Sequence, residues 1–433
     1  VSSNSSIVFD REAIAQSQPL SIANVLNYLP GQTILRPNSS IQGVQNLNLR
    51  SSTSLSNLDG LSGRAGLLMG TQQLNEAFGI SVLVDGASIS NNANMQASNP
   101  GFLGMFSANN IDHIAIANGG GRRNGTLYGT YGAAGANMGL DLRQLSAENV
   151  EDIEVITGVA AARYGDYTTG VIAVRRQAGV SPLRMTFRNN AATQQVGVNK
   201  GFKVSDKWGA VNISVDFLNA NDDPRDRLKA YRRVGAGLLW TYQQKTGSNF
   251  KNTLGIDYNT TLDQTKQDPD LDNMQLAKFT NRYLRLSNRS EWLLRKPWIY
   301  NVRLDLSYST GHEESYDQRY LSGASILSVL ASTETGVFEG FHAPGYYMAY
   351  HHIVGKPVTA AARLEASNKV NFGKHVYRLV VGSNVDHTAN KGPGTLLDPS
   401  RPRFDYISNR NDRPRPFDIL PAITNAGAYL ENV

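Results

Sequence analysis

The second half of the chain alternates apolar and polar residues over long stretches. One clear stretch sets Val211, Ile213, Val215 and Phe217 against Asn212, Ser214 and Asp216. About ten segments after residue 183 follow this period of two, which predicts β-strands with two unlike faces. A soluble β-sandwich and a membrane β-barrel both produce such alternation, so the period alone does not choose between them.

Two further features of this region favour a barrel in a membrane. First, several of the apolar rows begin or end in an aromatic residue, as interface girdles do: Trp240, Tyr242, Tyr258, Trp292, Trp298, Tyr300 and Tyr308. Second, short and long connections alternate. Short turns are predicted near 204–209, 245–249, 295–297 and 373–375, and longer loops near 220–229, 261–277, 311–355 and 388–422. A membrane barrel segregates loop length in this way, and a sandwich has no reason to.

The barrel expected from these strands is larger than ten strands can close. Ten strands make a tube roughly 22 Å across, whereas a compact domain of about 180 residues is roughly 40 Å wide. A barrel of about 22 strands is wide enough to hold such a domain. We therefore expect residues 183–433 to be the N-terminal portion of a large antiparallel transmembrane barrel, with about ten of its strands present. The remaining strands are expected from the polypeptide beyond Val433 or from another chain.

Residues 1–180 show a different sequence pattern, which predicts short strands, short helices and glycine-rich loops. Ser17 is placed to cap a helix whose apolar face carries Ile22, Val25, Leu26 and Leu29. A strand at 80–84 followed by the pair at 85–86 predicts a tight hairpin. A second short helix is predicted over Ser146–Asp152, before a strand at 153–157. This pattern predicts a small mixed α/β domain.

Composition narrows the chemistry. The 433 residues contain no cysteine, which excludes disulfides and thiol nucleophiles in this stretch. Hydrophobic residues make up 40%, charged residues 18%, and the net charge is +6 with the signs interspersed. A solvated surface explains that charge better than nucleic-acid binding, and no nucleic-acid partner is expected. No apolar run reaches the length of a transmembrane helix.

The first region resembles the plug domain of TonB-dependent outer-membrane receptors. The resemblance lies in four segments in the family's order, completed by two short motifs: Val25–Gly31, Leu47–Arg50, Val82–Gly86 and Ser146–Gly158, then Arg163-Tyr164-Gly165 and Gly170-Val171-Ile172. Ser51 replaces the glycine usual after the arginine, and Arg175-Arg176-Gln177 replaces the usual ending. The resemblance covers residues 1–180 by motif and 183–433 by architecture only.

The resemblance implies a plug-motif set of Arg50, Asp85, Gly86, Glu154, Gly158, Arg163, Tyr164, Gly165 and Gly170. Asp85-Gly86 suits a turn with positive φ, and the other glycines permit tight turns. Arg50, Glu154 and Arg163 are candidates for plug–barrel salt bridges, and pairing within the plug is the equal alternative.

Ligand contacts are expected where the upper plug loops meet the extracellular loops. The candidates are Arg122, Arg123, Tyr128 and Tyr131 in the plug, and Phe341, His342, Tyr346, Tyr347, Tyr350, His351 and His352 in the longest loop. Aromatic rings there can stack on a sugar, a cofactor ring or a peptide, and the histidines can touch a metal complex. Packing within the loop is the alternative for each of them.

The family implies active import of a scarce, bulky ligand across the outer membrane of a Gram-negative bacterium. The implied partners are a TonB-type inner-membrane energy transducer and outer-membrane lipid, with a surface lipoprotein as a further candidate. A non-transporting structural or adhesin subunit on the same scaffold is the alternative. No catalytic motif is present, so no enzyme activity, cofactor or resident metal is expected. An outer-membrane phospholipase would need a serine partner for His375 or His387 in a narrow barrel, which a plug argues against.

Overall fold

The structure is a computed structural model, and the fold is described for the following residues. They are 5–26, 28–29, 80–90, 93, 140, 142–157, 162–165, 170–189, 193–220, 229–244, 249–265, 276–296, 298–322, 327–329, 336–337, 341–343, 346–372, 375–396 and 416–432. Every structural statement below concerns these residues.

A mixed five-stranded sheet organises the N-terminal part. Its strands are β1 (Ser5–Phe9), β2 (Ile80–Val84), β3 (Ala87–Ile89), β4 (Val150–Thr157) and β5 (Gly170–Arg176). They lie in the order β1-β4-β5-β2-β3, with β2 parallel to β5 and the other neighbours antiparallel. The predicted hairpin at 85–86 joins β2 to β3, as the sequence indicated.

Two short helices cover one face of this sheet. Helix α1 (Arg11–Ser17) begins at Asp10, whose carboxylate accepts a hydrogen bond from the Ala13 amide at 2.8 Å. Helix α2 (Ile22–Leu26) buries the predicted apolar face, including Leu29 beyond its end. The cap prediction is wrong, because Ser17 closes α1 and donates to the Ile14 carbonyl. No helix in the described residues is long and apolar enough to cross a membrane.

The second predicted helix is also wrong. Residues 147–149 form a turn, and β4 already begins at Val150. The local helix is instead a single 3₁₀ turn at Leu142–Gln144. Val150, Ile153 and Val155 of β4 pack with Ile172 and Val174 in one core, so burial in the sheet outweighs the local preference for a capped helix.

The C-terminal part is one antiparallel sheet whose main path contains ten strands. They are β6 (Ser181–Asn189), β7 (Thr193–Ser205), β8 (Gly209–Ala220), β9 (Lys229–Gln244), β10 (Asn249–Thr265), β11 (Leu276–Leu293), β12 (Asn301–Ser322), β16 (Pro357–Phe372), β17 (His375–Asn390) and β19 (Ile423–Asn432). Each strand pairs with its neighbour along this path. The short turns predicted near 204–209 and 295–297 are confirmed where they are described, between β7 and β8 and between β11 and β12. Those predicted near 245–249 and 373–375 lie largely outside the described residues.

The predicted loop at 311–355 is wrong for much of its length, because β12 runs on to Ser322. It pairs there with β15 (Tyr346–Gly355), which continues the line of β16. Three further short strands complete the region: β13 (Leu327–Val329), β14 (Phe341–Ala343) and β18 (Gly394–Leu396). The strand β18 pairs with β15, so strands rise well above the main sheet in regions that were predicted to be loops.

The sheet buries its polar face and exposes its apolar face. On β8, Val215 is 49% exposed whereas the next residue, Asp216, is 5% exposed. The exposed apolar row includes Val198, Ile213, Phe217, Val234, Ile256, Leu284, Leu306 and Leu364. The buried polar row includes Asn199, Asn212, Arg233, Asp257, Asn281, Asp305 and Glu365. A protein in water shows the reverse arrangement, so the outer surface of this sheet is suited to lipid.

Aromatic side chains form a row near the short-turn end of the outer face. Ring centroids are 6.5 Å apart for Trp240 and Tyr242, 6.4 Å for Tyr242 and Phe250, and 5.2 Å for Phe250 and Trp292. The Trp240 indole donates to the carbonyl of Trp208 in the turn before β8. This row matches the interface girdle predicted from the sequence.

Candidate functional site

The polar inner face of the barrel wall meets the plug, and the β2–β3 turn is a principal contact. Asp85 and Gly86 have φ values of 52° and 81°, as a two-residue turn of this kind requires. The Asp85 amide donates to the Val174 carbonyl at 2.8 Å, which holds the turn at the end of β5. The turn therefore sits beside Arg176, the last residue of that strand.

Arg176 connects the plug to the wall. Its amide donates to Asp85 Oδ1 at 2.9 Å, and its guanidinium forms ion pairs with Asp85 and with Asp257 of β10. Arg285 of β11 donates to the other Asp257 oxygen at 3.1 Å. Burial alone would raise the pKa of Asp85, but the charge and hydrogen bonds of Arg176 outweigh burial and hold that pKa below its ordinary value.

A second cluster lies against the same turn. Arg289 of β11 donates to Asp305 of β12 at 2.7 Å and also to the Asp85 carbonyl. Arg303 Nε lies 2.8 Å from the second Asp305 oxygen, yet neither atom forms a hydrogen bond, so the contact is an ion pair with poor alignment. Together the two clusters bring Asp85 and Gly86, both predicted site residues, onto the charged inner wall.

Arg163 makes the plug–barrel salt bridge that was one of its two predicted alternatives. Its guanidinium donates to both carboxylate oxygens of Glu431 on β19, at 3.1 and 3.2 Å, and lies 3.9 Å from Glu365 of β16. The Tyr429 hydroxyl donates to Glu365 at 3.0 Å. Burial raises the pKa of the neighbouring Tyr164 hydroxyl, which therefore stays protonated at neutral pH.

The remaining plug-motif residues have structural positions. Glu154 lies in the middle of the plug sheet, paired in register with Val8 and Ala173. Gly170 begins β5 opposite Ile80. Gly165 follows Tyr164 with open space where a Cβ would project. Arg50 and Gly158 lie outside the described residues.

Sequence reasoning missed an uncharged network where the plug meets β7 and β8. Asn149 donates to Ser214 of β8 at 2.9 Å and accepts from Asn199 of β7 at 2.8 Å. Nearby, Arg233 of β9 forms an ion pair with Asp216 and donates to the Arg143 carbonyl at 2.7 Å. The polar residues of the alternating strands could have indicated this network, because a polar side chain that faces the barrel interior requires a polar partner there.

The ligand-binding candidates remain predictions. Arg122, Arg123, Tyr128 and Tyr131 lie outside the described residues. The backbones of Phe341 and His342 lie on β14, and those of Tyr346, Tyr347, Tyr350 and His351 lie on β15, instead of in the expected loop. His352 also lies on β15, with Nε2 3.3 Å from Glu314 and its ring against Tyr316.

Comparison with known proteins agrees with this architecture. Residues 2–136 match the family model of the TonB-dependent receptor plug domain. No curated protein sequence matches the chain. Among solved structures, the fold resembles Pseudomonas aeruginosa FpvA bound to a heterologous pyoverdine, at 10% identity and a TM-score of 0.56, over 100% of this chain and 49% of that one.

Two other solved structures are similar. The siderophore receptor PirA from Acinetobacter baumannii matches at 14% identity and a TM-score of 0.51, over 89% of this chain and 48% of PirA. The ferripyoverdine receptor of the Pseudomonas aeruginosa outer membrane, bound to ferripyoverdine, matches at 10% identity and a TM-score of 0.53. The match covers 99% of this chain and 49% of that receptor. The chain thus spans about half the length of these receptors.

The plug match and the one-sided barrel wall define a plugged β-barrel of the Gram-negative outer membrane. Residues 2–136 thus carry a TonB-dependent receptor plug domain, and the fold of the plug and barrel wall together resembles that of the solved receptors.

Proposed function

We propose that this receptor imports a scarce, bulky ligand across the outer membrane, with energy supplied by a TonB-type inner-membrane partner that acts on the plug. The observation that supports it most is the chemistry of the plug–wall contact. Where Arg176 and Arg163 meet the wall, the plug is held by ion pairs to Asp257 and Glu431 of the barrel.

A polar contact of this kind suits a plug that must move and return. The apolar core of the plug lies between its own sheet and helices, so a shift of the turn against the wall leaves that core covered. Several wall charges also keep a partner within the wall when the plug leaves. Asp257 retains Arg285, and Asp305 retains Arg289. Because a buried charge left alone costs about 3–5 kcal/mol, these spare partners lower the cost of release.

The proposed cargo class rests on the relatives and on the predicted contact residues. Of the solved structures that resemble this chain, FpvA is bound to a pyoverdine and PirA is a siderophore receptor. A siderophore is a bulky ligand. The candidates Arg122, Arg123, Tyr128, Tyr131, His342, Tyr346, Tyr347, His351 and His352 supply cationic and aromatic groups for such a molecule. A surface lipoprotein remains a candidate partner for the strands that extend above the wall.

Uptake by whole cells tests this proposal. Cells with and without the full-length receptor grow in the same medium, and mass spectrometry follows which solutes disappear, with and without a protonophore. We expect at least one solute to be depleted only when the receptor is present and the proton-motive force is intact. Depletion that persists with the protonophore would indicate a passive channel, and no depletion would favour a structural or adhesin subunit.

A further inference from the structure

Two cavities lie between the plug and the barrel wall on the side of the β2–β3 hairpin. The first, of about 650 Å³, is lined by β2 and Tyr164 of the plug and by Ser307, Arg363 and Asn384 of the wall. The second, of about 530 Å³, is lined by Asp85 and Arg176 of the plug and by wall residues that include Ser287 and Arg289. Both are large enough for a small ligand or for part of a large one.

The cavities follow one another along the barrel axis. The 650 Å³ cavity borders the beginnings of β2 and β5 and reaches Asn390, near the long-loop end of β17. The 530 Å³ cavity borders the ends of β2 and β5 and reaches residues 178 and 180, just before the barrel begins. A ligand that moved from the long-loop side to the short-turn side would meet them in this order.

One carboxylate stands between them. Within β12, Asp305 lines the second cavity, and Ser307, two residues further along the same inner face, lines the first. Asp305 is 6% exposed and faces Arg289 and Arg363 across its two neighbouring strands. The plug turn closes the remaining space, since a Cβ on Gly86 would lie 2.8 Å from Arg303 Nη2 and 3.3 Å from Asp305 Oδ2.

Few hydrogen bonds hold Asp305 in its position between the two cavities. Asp305 has one aligned hydrogen bond, from Arg289, and one misaligned contact, with Arg303. Arg363 Nε has no hydrogen-bond partner among the described residues. Two guanidinium groups, of Arg289 and Arg303, therefore contact one carboxylate, and Asp305 keeps a partner when either of them moves away.

The plug surface that faces β7 and β8, called the closed side below, packs more tightly against the wall. The Asn149 network spans from the plug to β7 and β8, and the cavity beside it holds about 60 Å³. That volume suits a few water molecules and excludes an organic ligand. Passage on that side would require the whole buried network to separate.

We propose that ligand crosses the receptor on the β2–β3 side of the plug, and that Asp305 with Arg289 and Arg303 forms the gate between the two cavities. This inference rests on the proposed transport function. In the closed state the plug turn presses on the gate through the bond from Arg289 to the Asp85 carbonyl. Withdrawal of the turn frees Arg289, and the gate residues can then re-pair along the wall and leave the two cavities connected.

Ion conductance tests the gate without ligand or energy transducer. The full-length receptor and its Arg289→Gln/Asp305→Asn variant are inserted into planar bilayers. The matched control is Arg233→Gln/Asp216→Asn, which removes an equal charge pair on the closed side. We expect the gate variant to spend roughly tenfold more time open than wild type, as loss of one charge-assisted hydrogen bond predicts. The control should stay closed.

Cysteine substitutions locate the open path. Because this stretch contains no cysteine, Ser287→Cys and Ser307→Cys in the gate variant add one thiol to each cavity, and Ser214→Cys adds one on the closed side. A charged thiol reagent should reduce the current at the first two positions and leave it unchanged at the third.

The electrophoretic mobility of each cysteine variant, with and without heating before the gel, shows whether the barrel has folded. Block of the current at Ser214→Cys alone would overturn the proposed gate. Opening of the control variant but not of the gate variant would also overturn it. Failure of the uptake experiment with a normal gate result would reject transport and keep the gate.

Discussion

At the scale of single residues, the turn at 85–86 joins sequence to mechanism. An Asp-Gly pair forms it because both positions have positive φ, and the same two residues then touch Arg176, Arg289 and Arg303. Local backbone chemistry and plug–wall contact thus depend on the same residues. Substitutions at the turn should change docking of the plug more than folding of the barrel.

A glycine series separates backbone strain from crowding at this turn. Gly179 has φ of 83° with open space around a Cβ, and Gly165 has open space without a positive φ. We expect Gly165→Ala to be neutral, Gly179→Ala to cost about 1–2 kcal/mol, and Gly86→Ala to cost about 3 kcal/mol because it also displaces two arginines. The urea concentration at which the plug becomes sensitive to protease measures the series. Equal effects at Gly86 and Gly179 would show that the arginine contacts contribute nothing.

The pKa of Asp85 sets a pH window for docking of the turn. Because that pKa is lowered in the folded protein, the stabilisation is complete above the unfolded value of about 3.9 and is lost as pH falls through the folded value. A nitroxide on the exposed position 88 should therefore keep the same mobility from pH 8 to about pH 5 and loosen only below about pH 4. The Asp85→Asn variant should be looser at every pH and show little change. Loosening of wild type between pH 5 and 7 would contradict this assignment.

At the scale of elements, the sequence was most informative where one interaction dominates. The period of two predicted the barrel strands, because lipid on one side and a polar lumen on the other act on every residue. It failed where tertiary pairing decides. Residues 346–355 read as a polar loop, yet they extend β16 along β12. The helix predicted at Ser146–Asp152 gave way to β4 for the same reason.

The site was predicted only in part. Asp85, Gly86 and Arg163 could be identified from motifs, but their wall partners Arg289, Arg303 and Glu431 are far away in sequence and carry no local signal. Asn149 was also missed, since a lone asparagine in a turn suggests a cap before it suggests a contact to another domain.

A charge on the outer face tests what that face contacts. Val215→Arg should destabilise the barrel by about 2–4 kcal/mol if the side chain lies in lipid near the middle of the membrane. Val337→Arg is the matched control, because Val337 is 102% exposed and lies in the long connection between β12 and β15. Mobility of unheated receptor on a denaturing gel measures barrel folding. If both variants fold equally well, the exposed face of β8 is in water.

At the scale of the whole molecule, the two domains place their apolar residues in opposite ways. The plug is an ordinary small domain with an apolar core. The barrel wall has its apolar surface outside and its polar surface inside, so it is stable only with lipid around it and polar partners within it. The plug supplies many of those partners, and both domains are therefore needed for a closed receptor.

Spin-label accessibility along β8 tests this arrangement most directly. Single cysteines at positions 211–218 of the full-length receptor in bilayers carry a nitroxide, and collisions with oxygen and with a polar nickel complex are measured. Lipid-facing labels should meet oxygen and avoid nickel, so we expect oxygen maxima at 213, 215 and 217 and protection from both reagents at 212, 214 and 216. Nickel maxima at 213, 215 and 217 would put the apolar face in water and contradict the membrane barrel.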